Sequence, residues 1–308
     1  MYRRSFAETR PKGSRLAAPN RILSLVPVSS RREVNTATRV GFIGLGSMGQ
    51  PFAANIVQAG FDLIVHDLRP EPVAELVALG ARAAHTAREV AEQSDIVDIA
   101  VPHEPEIEAL MRGPDGLFAG AHPGLVWAIH SSLHPRNMQK VAEEAKEHGV
   151  AVLDAQFSGG AGGARKRSLT FMVGGDPDVL ERCRPVLETT AGQIFVLGGI
   201  GAAALTKNVQ NMMQAINLLA AGEGFRLMER AGVDLEVFQE VVRTTGAQSL
   251  VGDAYLHQWG LRPVPWVYSL AIQNALDMAD TYDLALPVAA SGLQVMAEGQ
   301  PTPDAAGP

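Results

Sequence analysis

The chain has 308 residues, of which 46% are hydrophobic and 19% are charged. This composition predicts a globular protein with room for two domains. The formal net charge of −7 argues against nucleic acid as the main partner, and no stretch reaches the roughly 18 uninterrupted apolar residues of a membrane span. A single cysteine, Cys183, excludes an internal disulfide and is typical of a reducing compartment. We therefore expect no nucleic acid and no membrane among the partners.

Residues 1–39 differ in charge from the rest of the chain. They contain nine arginine or lysine residues against two glutamates, hence a net charge of +7, so that the remainder carries −14. This composition predicts a basic, disordered extension, and it equally fits an organellar transit peptide or a start site placed too far upstream. A nucleic-acid-binding arm is the less favoured alternative. The expected location is cytoplasmic, or mitochondrial if these residues are a transit peptide.

The segment that begins at Val40 carries the most specific motif of the chain. Gly44, Gly46 and Gly49 have G-x-G-x-x-G spacing after a predicted strand and before a predicted helix. This arrangement binds the pyrophosphate of a dinucleotide at the N-terminus of the helix. A glycine-rich turn without a ligand is the alternative. Against it, the next apolar run ends at Asp67, where an acidic side chain can accept hydrogen bonds from the adenosine ribose.

Short apolar runs alternate with amphipathic segments from residue 40 to about residue 200, a pattern that predicts βαβ units and a parallel sheet. The predicted strands are 40–44, 61–66, 95–101, 125–130, 150–154, 169–173 and 193–197. The predicted helices between them are 71–79, 86–93, 104–112, 136–147 and 177–188. The carboxyl edge of such a sheet borders the cofactor. The predicted cofactor residues are Gly44, Leu45, Gly46, Ser47, Met48, Gly49, Asp67, Leu68, Val101, Pro102 and Ser132.

Beyond residue 200 the strand signals stop. Residues 202–229 are rich in apolar side chains and contain no proline, so we expect one long helix. Shorter helices are predicted at 234–243, 247–258, 266–282 and 287–297. The predicted fold class is therefore α/β: a Rossmann-type doubly wound parallel sheet over residues 40–200, followed by an all-α C-terminal domain over 201–308.

Three further clusters lie downstream of the glycine motif. Ser131-Ser132 and Ser158-Gly159-Gly160 each follow a predicted strand, and Lys207-Asn208-Val209-Gln210-Asn211 lies in the first turns of the long helix. In this order, the four motifs resemble the β-hydroxyacid dehydrogenases, the family that includes 3-hydroxyisobutyrate dehydrogenase, tartronate semialdehyde reductase and 6-phosphogluconate dehydrogenase. The resemblance extends from about residue 40 to about residue 287.

The resemblance implies the catalytic residues. Lys207 would act as general base in alcohol oxidation and as general acid in carbonyl reduction, since a desolvated lysine has a lowered pKa and can exchange a proton with a hydroxyl. Asn211 lies one helical turn later on the same face and would orient the substrate hydroxyl. A solvated surface lysine is the alternative, and it would be favoured without the flanking motifs.

The resemblance also implies the substrate-binding residues. Ser131 and Ser158 would bind the substrate carboxylate, together with the backbone N–H groups of Gly159 and Gly160. Ser132 stands where the family usually has threonine and is assigned to the cofactor site. Taken alone, each of these segments would be an ordinary turn.

The chain departs from the family pattern at several positions. Gln156-Phe157 replaces Pro-Val, Ile129 replaces an aspartate and Gln210 replaces an asparagine, and in the helical domain Gln273 and Asn274 are the nearest candidates for the family's Lys-Asp pair. Arg165-Lys166-Arg167 is most simply a solvated turn, although it could attract an anionic substrate because the family usually has glycine at position 167. His130 and His134 have i, i+4 spacing, but Pro135 prevents a helical metal pair. We predict no metal.

The predicted function is that of an NAD-dependent oxidoreductase. A hydride would pass between the nicotinamide and a small 3-hydroxy acid, 3-hydroxyisobutyrate-like, or its semialdehyde. NAD is favoured over NADP because Asp67 would repel a 2′-phosphate, and NADP-preferring relatives often carry Asn-Arg at the positions of Asp67 and Leu68. The alternatives are an imine reductase-like enzyme and a non-catalytic NAD-binding sensor or scaffold. A homodimer or homotetramer is expected because a small helical domain has little core of its own.

Overall fold

A computed structural model describes residues 25–26, 37–102, 104–259 and 266–298. The chain divides after Lys207 into two compact units, and Asn208 begins the second. The described part of the first unit is α/β and that of the second is helical, so the predicted fold class is confirmed. The rest of the predicted basic extension before residue 37 and the tail after residue 298 lie outside the described residues.

The described part of the first unit contains one sheet of nine strands, in the order β1-β9-β8-β7-β6-β5-β2-β3-β4. The strands are β1 (Leu25–Val26), β2 (Arg39–Ile43), β3 (Asp62–His66), β4 (Arg82–Ala83), β5 (Ile96–Ile99), β6 (Val126–Ile129), β7 (Ala151–Ser158), β8 (Leu169–Gly174) and β9 (Ala191–Gly198). Strands β2 to β7 are parallel to their neighbours in this range. This part of the sheet positions the candidate site.

The sheet is mostly parallel, as predicted, and contains two antiparallel pairings. Strand β8 is antiparallel to β7, although β8 and β9 are parallel to each other. Only residues 159–168 connect β7 to β8, and a parallel crossover needs a dozen residues or more. At the nearby edge of the sheet, β1 pairs antiparallel with β9, through Leu25 to Phe195 and Val26 to Ile194. These two residues of the expected disordered extension therefore differ from that expectation.

Helices cover both faces of the sheet, as a doubly wound fold requires. They are α1 (Gly49–Gln58), α2 (Pro70–Ala78), α3 (Ala87–Glu92), α4 (Glu104–Met111), α5 (Pro135–Glu147), α6 (Gly160–Arg165) and α7 (Pro177–Leu187). The first, second, sixth and seventh pack in one apolar cluster, and the third, fourth and fifth pack in the other. Proline occupies the first turn of α2, α5 and α7, where its missing N–H costs no hydrogen bond.

The long helix α8 (Ala202–Arg230) was predicted within one residue of its observed end. It is followed by α9 (Leu235–Thr244), α10 (Leu250–Asp253), a π-helical turn (Tyr255–Trp259), α11 (Trp266–Thr281) and α12 (Pro287–Glu298). Within the second unit, Phe225 stacks on Tyr255 at a ring-centroid distance of 4.8 Å. No helix in the described ranges is both long enough and apolar enough to cross a membrane.

The single helix predicted over 247–258 is wrong, and Gln239 on α9 explains why. Its buried amide donates to the carbonyl oxygen of Gly252 at 2.7 Å and accepts from the N–H of Leu256 at 3.4 Å. These two backbone groups would bond to each other in a continuous α-helix. Because the Gln239 side chain forms hydrogen bonds with both groups, the helix is interrupted between α10 and the π-helical turn.

A histidine–aspartate pair is buried in the middle of the sheet. The Nε2 atom of His130 lies 2.8 Å from Oδ1 of Asp98, and its Nδ1 atom lies 2.6 Å from the carbonyl oxygen of Ala155. A carbonyl oxygen only accepts, so Nδ1 carries a proton. A second proton must lie between Nε2 and the carboxyl group, because a lone pair facing a carboxylate would repel it. The pair therefore has no net charge.

The surroundings of this pair are apolar. Burial raises the pKa of Asp98, and the hydrogen bond from His130 opposes that rise. Four aromatic rings contact the imidazole, those of Phe42, Phe52, Phe157 and Phe171. The hydrogen bonds of His130 stabilise the pair in this cluster, while the second carboxyl oxygen of Asp98, Oδ2, has no partner among the described residues.

We expect Asp98→Asn to change the free energy of unfolding by no more than about 1 kcal/mol, since its N–H group can donate to Nε2 while Nδ1 keeps its proton. Asp98→Ala should lower the free energy of unfolding by roughly 3 kcal/mol, because it leaves a buried ring nitrogen without a partner. Urea unfolding followed by circular dichroism measures both values. Equal losses in the two variants would contradict the shared-proton interpretation.

Candidate active site

The carboxyl ends of five parallel strands lie level along one edge of the sheet. The N–H of Gly44 donates to His66 O at 3.1 Å, that of Ala100 to Ile43 O at 2.9 Å, and that of His130 to Ile99 O at 2.9 Å. The order along this edge is β7, β6, β5, β2, β3. All five strands run in the same direction, but the order in which the chain adds them reverses at β2: β3 lies on one side of it, and β5, β6 and β7 lie on the other. Such a switch point is where α/β sheets bind ligands.

The glycine loop between β2 and α1 is shaped for a close ligand. Gly44 has a φ of 92°, and a Cβ on Gly49 would lie 1.9 Å from Gly44 O. A Cβ on Gly46, in contrast, would meet nothing within 4 Å. The first two observations explain the tight turn and the close packing of helix on strand, and the third leaves open space beside the backbone. The residues therefore fit a dinucleotide pyrophosphate.

Asp67 lies directly after β3 and is bonded to the glycine loop. Its Oδ2 atom accepts from the N–H of Leu45 at 2.6 Å, and its Oδ1 atom accepts from the N–H of Arg69 at 2.9 Å. Partial burial alone would raise the pKa of Asp67, but the hydrogen bonds from Arg69 and Leu45 lower it below its usual value. The carboxylate is therefore ionised at neutral pH and is bonded to the loop, and its role as a ribose acceptor stays a prediction.

Arg69 was not assigned a role from the sequence, and the structure places it on the same cluster. Its guanidinium donates to Asp67 Oδ1 at 3.1 Å and to Leu45 O at 2.9 Å. Between these two acidic and basic residues, Leu68 is 95% exposed. Arg69 thus shares the Asp67 carboxylate with any ribose that binds there.

The Ser131-Ser132 turn follows β6 and leads into α5, where the side chain of His134 accepts from the N–H of Arg136 at 3.2 Å. Ser131 is only 5% exposed, and its hydroxyl oxygen has no hydrogen-bond partner among the described residues. A buried hydroxyl without a partner is unusual in a folded protein and calls for an explanation. Ser132 is half-buried beside it.

The Ser158-Gly159-Gly160 segment ends β7 on the same edge. Gly159 and Gly160 have φ values of 130° and 65°, and both are exposed. Arg167, at the end of this connection, has a φ of 55° and donates to Gln58 Oε1 on α1 at 2.8 Å. The predicted solvated turn thus holds for exposed Arg165 and Lys166, whereas the Arg167 guanidinium is bonded to α1.

The first turn of α8 is bonded to the sheet through Asp154, on the strand β7. Oδ2 of this buried carboxyl accepts from the N–H of Gly201 at 3.1 Å and from that of Ala204 at 2.9 Å. Burial raises the pKa of Asp154 to about 6, against the opposing hydrogen bonds from Ala204, Gln156 and Gly201. This contact places the start of α8 at β7, three residues before Lys207.

Lys207 has the electrostatic property that acid–base chemistry requires. It is half-buried, and burial lowers the pKa of its ammonium group to about 8. The residue therefore changes its protonation state near neutral pH, unlike a solvated lysine. Asn211 follows one turn later on α8 and is 6% exposed.

In the second unit, two side chains are the nearest candidates for the family's Lys-Asp pair. Asn274 on α11 donates to Asn208 Oδ1 at 2.9 Å, and Gln273 donates to Asp277 Oδ1 at 3.0 Å. Both side chains are neutral amides engaged in hydrogen bonds with their own unit. Neither supplies a cation.

Two features of the site were missed or underrated in the sequence. Asp154 stands at the end of an apolar run, and an acidic residue in such a position is a signal for a buried cap. Gln156 stood out only as a departure from the family pattern, and nothing local to it indicated its contacts.

Across the described ranges, no group of three histidine, cysteine, aspartate or glutamate residues could hold a metal ion.

Comparison with known proteins agrees with this geometry. A family model described as the NAD binding domain of 6-phosphogluconate dehydrogenase matches residues 39–198. A second, described as the NAD-binding of NADP-dependent 3-hydroxyisobutyrate dehydrogenase, matches residues 201–305. The chain belongs to the β-hydroxyacid dehydrogenase family. As a member it is an NAD(P)-dependent oxidoreductase that acts on CH–OH groups.

Several characterised relatives of this family member are similar over most of its length. The NAD-dependent L-serine dehydrogenase of Pseudomonas aeruginosa is 37% identical over 70% of this chain and 73% of that protein. The 3-hydroxyisobutyrate dehydrogenase of the same organism is 36% identical over 73% of this chain and 76% of that protein. Among solved structures, Mycobacterium tuberculosis 3-hydroxyisobutyrate dehydrogenase with L-serine has a TM-score of 0.73 at 28% identity, covering 85% of this chain and 93% of that one.

The Asp67 cluster yields a test of cofactor choice in this dehydrogenase. Replacing Asp67 by asparagine and Leu68 by arginine removes a negative charge and adds a positive one where a 2′-phosphate would lie. We expect the ratio of kcat/KM for NADP to that for NAD to rise at least about tenfold, since one close charge contact is worth about 1.4 kcal/mol or more. Steady-state kinetics with both cofactors measure the ratio.

The matched control for this pair of substitutions is Asp62→Asn, which changes an exposed carboxylate at the opposite end of β3. It should leave the ratio unchanged. An unchanged ratio in the Asp67 and Leu68 double variant would show that these positions do not determine the cofactor.

Proposed function

We propose that this family member is an NAD-dependent dehydrogenase of a small 3-hydroxy acid, 3-hydroxyisobutyrate-like, or works in reverse as a semialdehyde reductase. The observation that carries the proposal is Lys207, whose pKa burial lowers to about 8, on a helix held at the carboxyl edge of the sheet. The relatives named 3-hydroxyisobutyrate dehydrogenase and 2-hydroxy-3-oxopropionate reductase support this substrate class.

The nicotinamide ring, when bound, supplies the hydride acceptor in oxidation and the hydride donor in reduction. The neutral amine of Lys207 takes the proton of the substrate hydroxyl as the alcohol becomes a carbonyl. In the reverse direction the ammonium of Lys207 gives that proton back. Asn211, four residues along α8, orients the hydroxyl through its amide.

The substrate carboxylate has its own donors. The hydroxyl of Ser131, which has no partner among the described residues, donates to one carboxylate oxygen. Ser158 and the backbone N–H groups of Gly159 and Gly160 complete the contact at the end of β7. This division explains why a hydroxy acid suits the site: the acid end meets neutral donors, and the hydroxyl end meets a titratable amine.

The alternative functions are less well supported. Solved imine reductases share the fold at 18–21% identity, and this similarity extends to the fold alone. A carbonyl reductase requires a proton donor for the developing alkoxide, and Lys207 is such a donor. The same residue favours an enzyme over a non-catalytic sensor, since titratable groups with a shifted pKa cluster at catalytic sites.

Lys207→Ala should lower kcat by roughly 100- to 10,000-fold, the usual contribution of a general acid or base. NADH affinity, measured by fluorescence titration, should stay within about twofold because the amine acts on the substrate hydroxyl. Lys146→Ala, which changes an exposed lysine in the last turn of α5, is the matched control and should keep full activity. Retained turnover in Lys207→Ala would exclude the proposed role.

The activity should also depend on pH in opposite senses for the two directions. Oxidation needs the neutral amine, so kcat/KM for the hydroxy acid should rise as the pH increases through about 8 and then level off. Reduction needs the ammonium, so kcat/KM for the semialdehyde should fall over the same interval. Profiles that move in the same sense would contradict lysine acid–base catalysis.

We further propose that the helical unit forms a homodimer or homotetramer. Between α8 and α12 lies an apolar groove of about 310 Å³ whose lining includes Met213 and Val288. These side chains are 57% and 65% exposed, and large exposed apolar patches mark interaction sites. A second copy of the chain is the partner that a small helical unit needs to enlarge its core.

Met213→Glu combined with Val288→Asp should convert the oligomer into monomers, because two buried charges would be unpaired in the interface. Light scattering after size exclusion measures the mass. Val241→Asp, at a 49% exposed position on α9, is the control and should leave the mass unchanged. A wild-type mass equal to that of one chain would refute the oligomer.

A further inference from the structure

One buried amide connects the two parts of the substrate site. Gln156 on β7 is fully buried, and its Nε2 atom lies 3.0 Å from Ser131 O, 3.3 Å from Ile129 O and 3.2 Å from Asp154 Oδ1. All three neighbours are acceptors, so the nitrogen and not the oxygen of the amide must face them. The side chain thus holds the serine turn and the Asp154 carboxyl at once.

Asp154 extends this connection to the lysine helix. Its Oδ1 atom meets Gln156, while its Oδ2 atom accepts from Gly201 and Ala204 in the first turn of α8. Lys207 lies less than one further turn along the same helix. A continuous chain of hydrogen bonds therefore runs from Ser131 through Gln156 and Asp154 to the start of α8.

We propose that Gln156 is a positioning residue that fixes the Ser131-Ser132 turn and the first turn of α8 relative to each other. The proposed function assigns the Ser131 hydroxyl to the substrate carboxylate and the Lys207 amine to the substrate hydroxyl. With the two turns fixed, the distance between these groups stays matched to the length of one small hydroxy acid. Gln156 touches neither the substrate nor the cofactor in this role. It acts through Ser131 and Asp154.

The chemistry of the position requires a neutral donor. Methionine has the length of glutamine but donates nothing, so the two carbonyl groups and the carboxylate would lose a buried partner. Glutamate has the same shape, but its ionised form adds a fourth acceptor to three existing ones. Only a protonated glutamic acid could donate, and it has one O–H where the amide has two N–H groups.

Asp154 also gives the proposal a dependence on pH. The neighbours in register with it are Ile129 on β6 and Gly174 on β8, which carry no charge. From α8, the N–H groups of Gly201, Ala203 and Ala204 face the carboxyl, and from β7, the amide of Gln156. Each of these donors stabilises the ionised form of Asp154, so loss of the Gln156 amide should raise the pKa of Asp154 further.

The test compares Gln156→Met and Gln156→Glu with the wild-type protein. The control is Gln193→Met, which makes the same change at an exposed position on β9. Amide hydrogen exchange, read by mass spectrometry on the protein alone, reports peptides that cover 129–135 and 199–207. Steady-state kinetics with 3-hydroxyisobutyrate and NAD report kcat and KM from about pH 6 to about pH 9.

In Gln156→Met we expect faster exchange in both peptides and unchanged exchange in α1. We also expect kcat to fall by about 100-fold, which is the effect of a misplacement of about 1 Å. The acidic limb of the pH profile of kcat should shift to higher pH. In Gln156→Glu, activity relative to wild type should increase as the pH falls, because protonation restores one donor. The control should match wild type throughout.

Uniformly faster exchange along the chain in both variants would overturn the proposal, as would unchanged exchange in either of the two peptides. If Gln156→Met does not fold, the activity of Gln156→Glu relative to wild type provides the test. A relative activity that does not increase as the pH falls would overturn the proposal. Hydrogen exchange is measured without substrate, so its result does not depend on whether the proposed function is correct. Failure of Lys207→Ala to lose activity would refute that function and leave the exchange result as it is.

Discussion

The buried carboxyl of Asp154 is the contact on which the geometry of the candidate site depends. It receives two backbone N–H groups at the start of α8, and these groups would otherwise be unsatisfied at a buried helix terminus. The helix that carries Lys207 is therefore anchored by a residue of the sheet. The same strand ends at Ser158, so one element locates both the anchor of the lysine helix and the proposed donor for the substrate.

The sheet edge distributes the remaining roles by strand order. Because the parallel strands end level with one another, each turn after a strand faces a different part of a long ligand. Asp67 follows β3 at one side, the glycine loop follows β2 next to it, and the serines follow β6 and β7. In the proposed assignment, this order would place the adenosine end of the cofactor near β3 and the substrate carboxylate near β6 and β7.

Much of this arrangement could be predicted because it rests on local signals. The glycine loop, the acidic end of β3 and the long proline-free helix each have a sequence pattern tied to one backbone requirement. The direction of β8 could not be read from its apolar residues, since parallel and antiparallel strands share that pattern, and only the length of the connection distinguishes them. The break after α10 depends on Gln239, a residue on another helix.

The polar residues of the interior were the hardest to predict. Gln156 and His130 make their hydrogen bonds with strands that are distant in sequence, so neither has a local signal. Asp98 within an apolar strand was visible, but its partner was not. Such contacts arise only after the sheet has brought the strands together, and they determine details of the site that the motifs leave open.

The pairing of β1 with β9 covers a sheet edge that would otherwise be open. A protease that cut after Val26 would remove a strand and leave the outer backbone groups of β9 open to another chain. Such an edge recruits strands from neighbouring molecules and promotes aggregation. Leu25 and Val26 therefore shield the backbone of β9 from pairing with another copy of the chain.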